Sequence, residues 1–333
     1  MRRHIAWSVL GVLAAIVAVV LGPGGATDIR AAEFDLVEAH TTTADHPYTL
    51  GMVRYAELVK ARTKGRVTIQ IHHSRELGDE REVVEGLQLG TIQLTVTSTG
   101  PLGGFIPEMN VVDLPFLFRD AQHAYRVLDG EIGRSLLNKF EAVVIKGLAF
   151  WENGFRHITS SKKPVRAPAD LRGLKIRVME NKVHQAAFRQ LGADATPMAW
   201  GEVFTSLQQG LLDAQENPIP IIYTFKLNEV QKYVSLTGHV YSPAPLLMSK
   251  TTWDRMPPDI QKVMLDTAAE VATYQRGLIY EQEQKQLGEL QRKGMTVIEN
   301  PDRAAFRQAM QPVFEQFQGQ FGKDLVQRIV NSR

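Results

Sequence analysis

From Phe34 onward the chain alternates between two hydrophobic periods. Tyr48, Met52, Tyr55 and Val59 recur at helical spacing and predict one buried helix face, with Gly65 as the terminator. Val67, Ile69 and Ile71 alternate within Arg66–Ile71 and predict a strand. Asp79 is placed to cap a helix carrying Val83, Val84 and Leu87 and closed by Gly90, and Thr91–Thr97 reads as the next strand. With a short first strand over Phe34–Ala39, this order implies parallel crossovers and an open α/β sheet.

The second half repeats the style. Val143–Phe150 is an apolar strand candidate, and Leu174, Ile176 and Val178 share one face of a strand over Leu174–Met179. Helices are predicted from Val183 to Leu191 and from Trp200 to Gln209. From Pro257 to Lys293 runs an unusually long helical pattern, opened by prolines, closed by Gly294, and long enough to run along both halves of a two-domain protein. A short strand over Met295–Ile298 and helical segments after Pro301 and after Pro312 complete the chain.

The first residues follow a different pattern. Met1-Arg2-Arg3-His4 is basic, Ile5–Leu21 is apolar, and small residues lead to Ala31-Ala32. This is the order of a secretory signal, with cleavage expected after Ala31 or Ala26; the alternative is an uncleaved anchor. Residues 1–31 carry the small basic excess of the chain. Beyond them are 35 positive and 35 negative side chains, so the net charge falls from +2 to zero. That balance argues against a nucleic-acid binder. Zero cysteines remove disulfide scaffolds, zinc fingers, thiol catalysis and iron–sulfur clusters together. Export without cysteine suits a periplasmic protein, and no later stretch approaches membrane-span length.

Catalytic motifs are missing: there is no GxSxG, HExxH, P-loop or dinucleotide fingerprint. His72-His73 is adjacent, so the rings of a strand point to opposite faces and make a poor metal site. Gly103-Gly104 lacks the following Lys-Ser/Thr of a phosphate loop and reads as a turn. No cofactor, metal ligand set or catalytic residue is expected. Two arginines do stand out. Arg177 lies on the strand face opposite Ile176 and Val178, near the carboxyl end, where open α/β sheets line their ligand crevice. Arg156 ends Trp151-Glu-Asn-Gly-Phe-Arg156 beside another strand. Paired guanidiniums there would grip a carboxylate through planar forks. The competing reading for each is a surface salt bridge. Asn217, held extended by Pro218, could turn its amide toward a ligand or simply make a polar turn.

These residues also carry a family resemblance. The stretches Glu76-Leu-Gly-Asp79, Asp113-Leu-Pro-Phe-Leu-Phe118, Asn153-Gly-Phe-Arg156, Gly173-Leu-Lys-Ile-Arg-Val-Met179, Thr196-Pro-Met198 and Asp213-Ala-Gln-Glu-Asn-Pro218 occur in order. Arg156 and Arg177 are 21 residues apart, and Arg177 and Asn217 are 40 apart. As a set they resemble the solute-binding proteins of tripartite ATP-independent periplasmic (TRAP) transporters. The resemblance implies a two-lobed periplasmic binding protein fold, each lobe an open sheet flanked by helices, with a long helix spanning both. The implied lobes are 32–153 plus 242–281 and 154–241 plus 282–333. Arg177 matches the family arginine that pairs with the ligand carboxylate, Arg156 the one that assists it, and Asn217 the asparagine that orients the pair or touches the ligand. Trp200 falls where the family often sets an aromatic against the ligand, although a core role at a helix start competes. Sialic-acid binders tend to carry glutamate where this chain has Ser98. Ser98, Thr99 and His40 would instead offer neutral hydrogen bonds, which favours a sugar acid such as glucuronate or galacturonate over succinate or malate.

The implied mechanism is capture of an organic acid by hinge closure, followed by docking of a monomer on the membrane permease, with no chemistry on the ligand. A secreted enzyme and a ligand-sensing module on the same fold are the rival readings. Removing the Arg156 side chain is expected to weaken binding without unfolding the protein.

Overall fold

The computed structural model describes residues 32–332. The predicted signal at residues 1–31 lies outside them. Two sheets organise the chain. The first has five strands: β1 (Phe34–Ala39), β2 (Val67–His72), β3 (Leu94–Val96), β4 (Ile145–Phe155) and β10 (Tyr241–Ser249), in the order β2-β1-β3-β10-β4. The second has six: β5 (His157–Ser160), β6 (Lys175–Val178), β7 (Asp194–Pro197), β8 (Ala214–Asn217), β9 (Tyr233–Ser235) and β11 (Thr296–Ile298), in the order β11-β9-β5-β8-β6-β7. The chain passes from the first sheet to the second at 155–157 and returns between 235 and 241.

The predicted crossovers are present: β1 pairs in parallel with β2 from Phe34↔Val67 to Ala39↔His72, and with β3. The returning β10 inserts antiparallel between β3 and β4, so the sheet is mixed rather than wholly parallel. Helix α1 (Pro47–Arg62) buries Tyr48, Met52, Tyr55 and Val59, and α2 (Glu80–Leu89) starts at an Asp79–Glu82 capping box and ends at Gly90 with φ 76°.

Three boundaries differ from the sequence expectation. The strand expected over Thr91–Thr97 is confined to β3, because the N–H groups of Thr91 and Ile92 both return to the Gly86 carbonyl as the helix ends. The strand expected over Val143–Phe150 begins at Ile145 and continues to Phe155, since β10 supplies a partner as far as Tyr241↔Phe155. The break expected at Pro312 is absent. One helix, α10 (Arg303–Phe321), runs through it, with Pro312 on the exposed side and Phe306, Met310, Val313 and Phe317 buried. The lost i→i−4 bond therefore faces water rather than the core.

The long helix α9 (Pro258–Arg292) packs against α1 and β4 at one end and against α7 (Ile219–Thr224) toward the other. It is tied to the first sheet by Trp151 Nε1 donating to the Ala268 carbonyl (3.1 Å), and by the Gln275 amide, which bonds both the N–H and the C=O of Glu152 (2.9 and 2.7 Å). Farther along, Leu290 lies in the core with Val203, Ile219 and Leu227. Helix α11 (Lys323–Asn331) covers α3 (Ala121–Asp129), where His123 Nε2 meets the Ile329 carbonyl at 2.8 Å. Among the described residues, no helix is long and apolar enough to cross a membrane.

Candidate functional site

A cleft between the two sheets is lined by Thr41, Thr42, Tyr48, Glu80, Ser98, Asn153, Arg156, Arg177, Met179, Trp200, Asn217 and Ile221. Its walls differ in charge. One is formed by Arg156 and by residues of the second sheet and the helices that follow its strands: Arg177 on β6, Trp200 at the start of α6 (Trp200–Gln208), Asn217 on β8. The other is formed by first-sheet elements: the β1–α1 connection, Tyr48, Glu80, Ser98 and Asn153.

Strand alternation puts Ile176 and Val178 into the core and Arg177 into the cleft. Arg177 is buried, yet its guanidinium makes only local bonds: Nε and Nη2 both donate to the Met198 carbonyl, at 2.9 and 2.7 Å. Among the described residues it forms no salt bridge. Burial pulls its pKa down to about 10, while Glu216 acts in the opposite direction, so the group stays cationic at neutral pH. Trp200 lies 5.5 Å below it and meets Phe225 edge-on at 4.8 Å. Trp200 is thus a cleft wall and a packing residue at once.

Arg156 is fully buried and chelates Glu216, with Nε donating to Oε2 (2.5 Å) and Nη2 to Oε1 (2.8 Å). Nη2 also reaches the Glu216 carbonyl and Asn217 Oδ1 (2.7 and 3.1 Å), while Nη1 has no partner. Burial pushes the Glu216 carboxyl up, but Arg156 and the hydrogen bond from His239 at 3.2 Å hold it below the ordinary carboxylate range. The Asn217 amide is engaged locally as well, donating to Gln215 Oε1 at 2.6 Å. Arg156 is therefore not a free-standing surface cation. Its loss would strand a buried carboxylate, which argues against the expectation that it can be removed without unfolding.

Ser98 lines the cleft, with its N–H donating to Glu80 Oε1 (2.9 Å) and its hydroxyl 3.5 Å from Met179 Sδ on the opposite wall. His40 and Thr99 do not line it. Both His40 nitrogens are occupied, Nδ1 by Glu38 (2.9 Å) and Nε2 by Thr49 Oγ1 (2.7 Å). The Thr99 hydroxyl donates to buried Asp113 at 2.6 Å. They are corrected from candidate ligand contacts to supports behind the wall. Seven lining residues escaped singling out in the sequence: Thr41, Thr42, Tyr48, Glu80, Asn153, Met179 and Ile221. Tyr48 read as part of a core stripe, and Glu80 follows the helix cap read at Asp79, so local explanations covered both positions.

Residues 38–320 match the family described as bacterial extracellular solute-binding protein, family 7, and the chain belongs to it. It is 38% identical over 290 residues to the 2,3-diketo-L-gulonate-binding periplasmic protein YiaO of Escherichia coli (87% of each chain). A solved TRAP periplasmic solute-binding protein from Polaromonas, bound to D-erythronate, superposes with a TM-score of 0.89 at 44% identity, covering 90% of this chain and 99% of that one. Another, from Sulfurospirillum deleyianum with bound succinate, gives 0.86 at 31% identity, over 91% and 100%. The two-lobed α/β binding-protein fold expected from the sequence is the fold of these neighbours.

Proposed function

We propose that this protein is the periplasmic ligand-capturing subunit of a TRAP transporter, exported by residues 1–31 and acting as a monomer without cofactor or metal. It takes a small organic carboxylate, preferably a sugar acid such as glucuronate or galacturonate, and delivers it unchanged to the membrane permease. One observation carries the reading: Arg177, buried and without a salt bridge among the described residues, and Arg156, whose Nη1 has no partner, line one cleft. A buried cation without a counter-charge is costly, and a ligand carboxylate would supply the missing partner.

Arg177 is the main carboxylate clamp in this reading, Arg156 the second donor, Asn217 its orienting neighbour, and Trp200 the flat wall against the ligand body. Two or more charge-assisted bonds of roughly 1.5–3 kcal/mol each, with some neutral bonds, suffice for about −8 kcal/mol, or micromolar affinity. Closure is a rigid approach of lobes 32–153 plus 242–281 and 154–241 plus 282–333. Gly154, with φ 118°, lies at the first crossing and tolerates a backbone conformation that other residues resist.

The test is calorimetry with D-erythronate, glucuronate, galacturonate and succinate on the wild type and Arg177→Lys. Carboxylate binding that the lysine variant weakens by about tenfold or more supports the reading. Equal affinity in both proteins, or turnover of the ligand, would sink it. A preference for succinate would favour the C4-dicarboxylate alternative, which the succinate-bound neighbour keeps in view.

A further inference from the structure

We infer that Glu80 is a specificity-determining residue that selects hydroxylated monocarboxylates and rejects dicarboxylates. The inference rests on carboxylate capture by the opposite wall and goes beyond it by reading the other end of the ligand.

Glu80 is the first residue of α2, and its carboxylate is fixed on one side only. Oε1 accepts the Ser98 N–H at 2.9 Å and the Thr97 hydroxyl at 3.1 Å. Oε2 takes no hydrogen bond from any described residue, and the side chain lines the cleft. It is accompanied by cleft-lining residues that hold a buried, unpartnered polar atom: Thr42 Oγ1, the Tyr48 hydroxyl and Asn153 Oδ1. Across the cleft the corresponding unpartnered atom is Arg156 Nη1, a pure donor. The cleft is thus polarised, with donors on one wall and, on the other, acceptors with two hydroxyls of either role.

A matching ligand carries acceptors at one end and O–H donors at the other. A hydroxy acid does. A dicarboxylate such as succinate has no donor at neutral pH, so it would leave Asn153 Oδ1 and Glu80 Oε2 unmet and set its second charge against the Glu80 carboxylate. Sites built to hydrogen-bond a hydroxyl discriminate strongly against analogues that lack it, because their own buried groups are then unpaired. The bland role for Glu80, an acid favourable at a helix N-terminus, accounts for its place in α2 but not for a cleft-lining carboxylate with one oxygen unbonded among the described residues.

The experiment is calorimetry on the full chain and on Glu80→Gln, Thr97→Val and Arg177→Lys, with D-erythronate, tartrate, succinate and 4-aminobutyrate as probes. The wild type should bind D-erythronate at least about tenfold tighter than the other three. Glu80→Gln should weaken D-erythronate and narrow its margin over succinate and tartrate by about fivefold or more, since the amide keeps the Ser98 bond but removes the charge. Thr97→Val, which frees the carboxylate from one anchor, should narrow it less; it serves in place of Glu80→Gln if that protein fails to fold. Tartrate binding as well as D-erythronate overturns charge rejection, and tight 4-aminobutyrate binding would mean that Glu80 receives an ammonium instead. An unchanged margin in Glu80→Gln, with binding still lost in Arg177→Lys, overturns the role of Glu80 alone. Indifference of every probe to Arg177→Lys overturns the carboxylate reading beneath it.

Discussion

Asp79 reaches across the cleft to Gly201: its Oδ2 accepts the Gly201 backbone N–H at 2.7 Å, while Oδ1 caps α2 at the Glu80 N–H. One carboxylate thus starts a helix on the first-sheet side and holds the opening turn of α6 on the other. The approach is close. A Cβ on Gly201 would lie 1.5 Å from Arg75 Nη1 and 2.9 Å from Asp79 Oδ2.

This latch gives the first prediction. Gly201→Val should displace Arg75 and break the Asp79 bond, weakening ligand binding by about three- to tenfold. Because the contact joins opposite walls, the ligand-free melting temperature should stay nearly constant. Thermal shift with and without ligand checks this. A large fall in the ligand-free protein would mean that the contact serves the fold rather than closure.

Arg177 combines functional need with a stability cost. Its charged form is disfavoured by burial, which lowers the pKa to about 10, so below that pH the fold carries an unpaired buried cation. The cost is fully present at neutral pH and is relieved only as pH rises through about 10. Arg177→Leu should abolish carboxylate binding yet raise the ligand-free melting temperature by roughly 2–4 °C. Differential scanning calorimetry reads both effects.

Arg156 should behave in the opposite way. Arg156→Ala leaves the buried Glu216 carboxylate without its chelating partner and should destabilise the protein by about 3–5 kcal/mol. Arg156→Leu combined with Glu216→Leu should recover much of that loss while binding stays impaired, as a double-mutant cycle in urea would measure. The Glu216 pKa is lowered, so the pair's contribution is complete above the ordinary carboxylate pKa. It declines as pH falls below that value toward the folded one.

A second group of acids titrates the other way. Burial raises Glu152 to about 7, against the opposing hydrogen bond from Tyr125 and the charge of Arg276, and burial also raises Asp113 to about 7. An acid with a raised folded pKa favours the fold fully below its unfolded pKa, and that advantage is lost as pH rises through the folded one. The melting temperature should therefore fall between about pH 5 and pH 8, and Glu152→Gln should flatten part of that slope. A slope identical to wild type would count against a buried, titrating Glu152.

Local patterns made the fold largely legible. Alternation across Leu174–Met179 was enough to send Arg177 to the side opposite the core, and Pro218 was enough to hold Asn217 extended at the end of β8. The same local logic failed wherever the partner is distant in sequence. Alternation sets Glu38 beside His40, but nothing in it announces that Thr49 takes the other ring nitrogen, and Thr99 cannot be told from Ser98 until Asp113 folds against it. Arg156 and Glu216 are 60 residues apart, so their chelation emerges only when β5 and β8 pair.

The sequence by itself determined the periodic elements, the charge balance, the absence of cysteine chemistry and the two guanidiniums, because these follow from residue types and short spacings. Tertiary structure decided which cation is free and which is committed, and it brought Glu80, Tyr48 and Asn153 to face them. The reason is physical. A hydrogen bond or an unpaired charge is a property of two surfaces brought within about 3 Å, and chain order does not specify which surfaces meet.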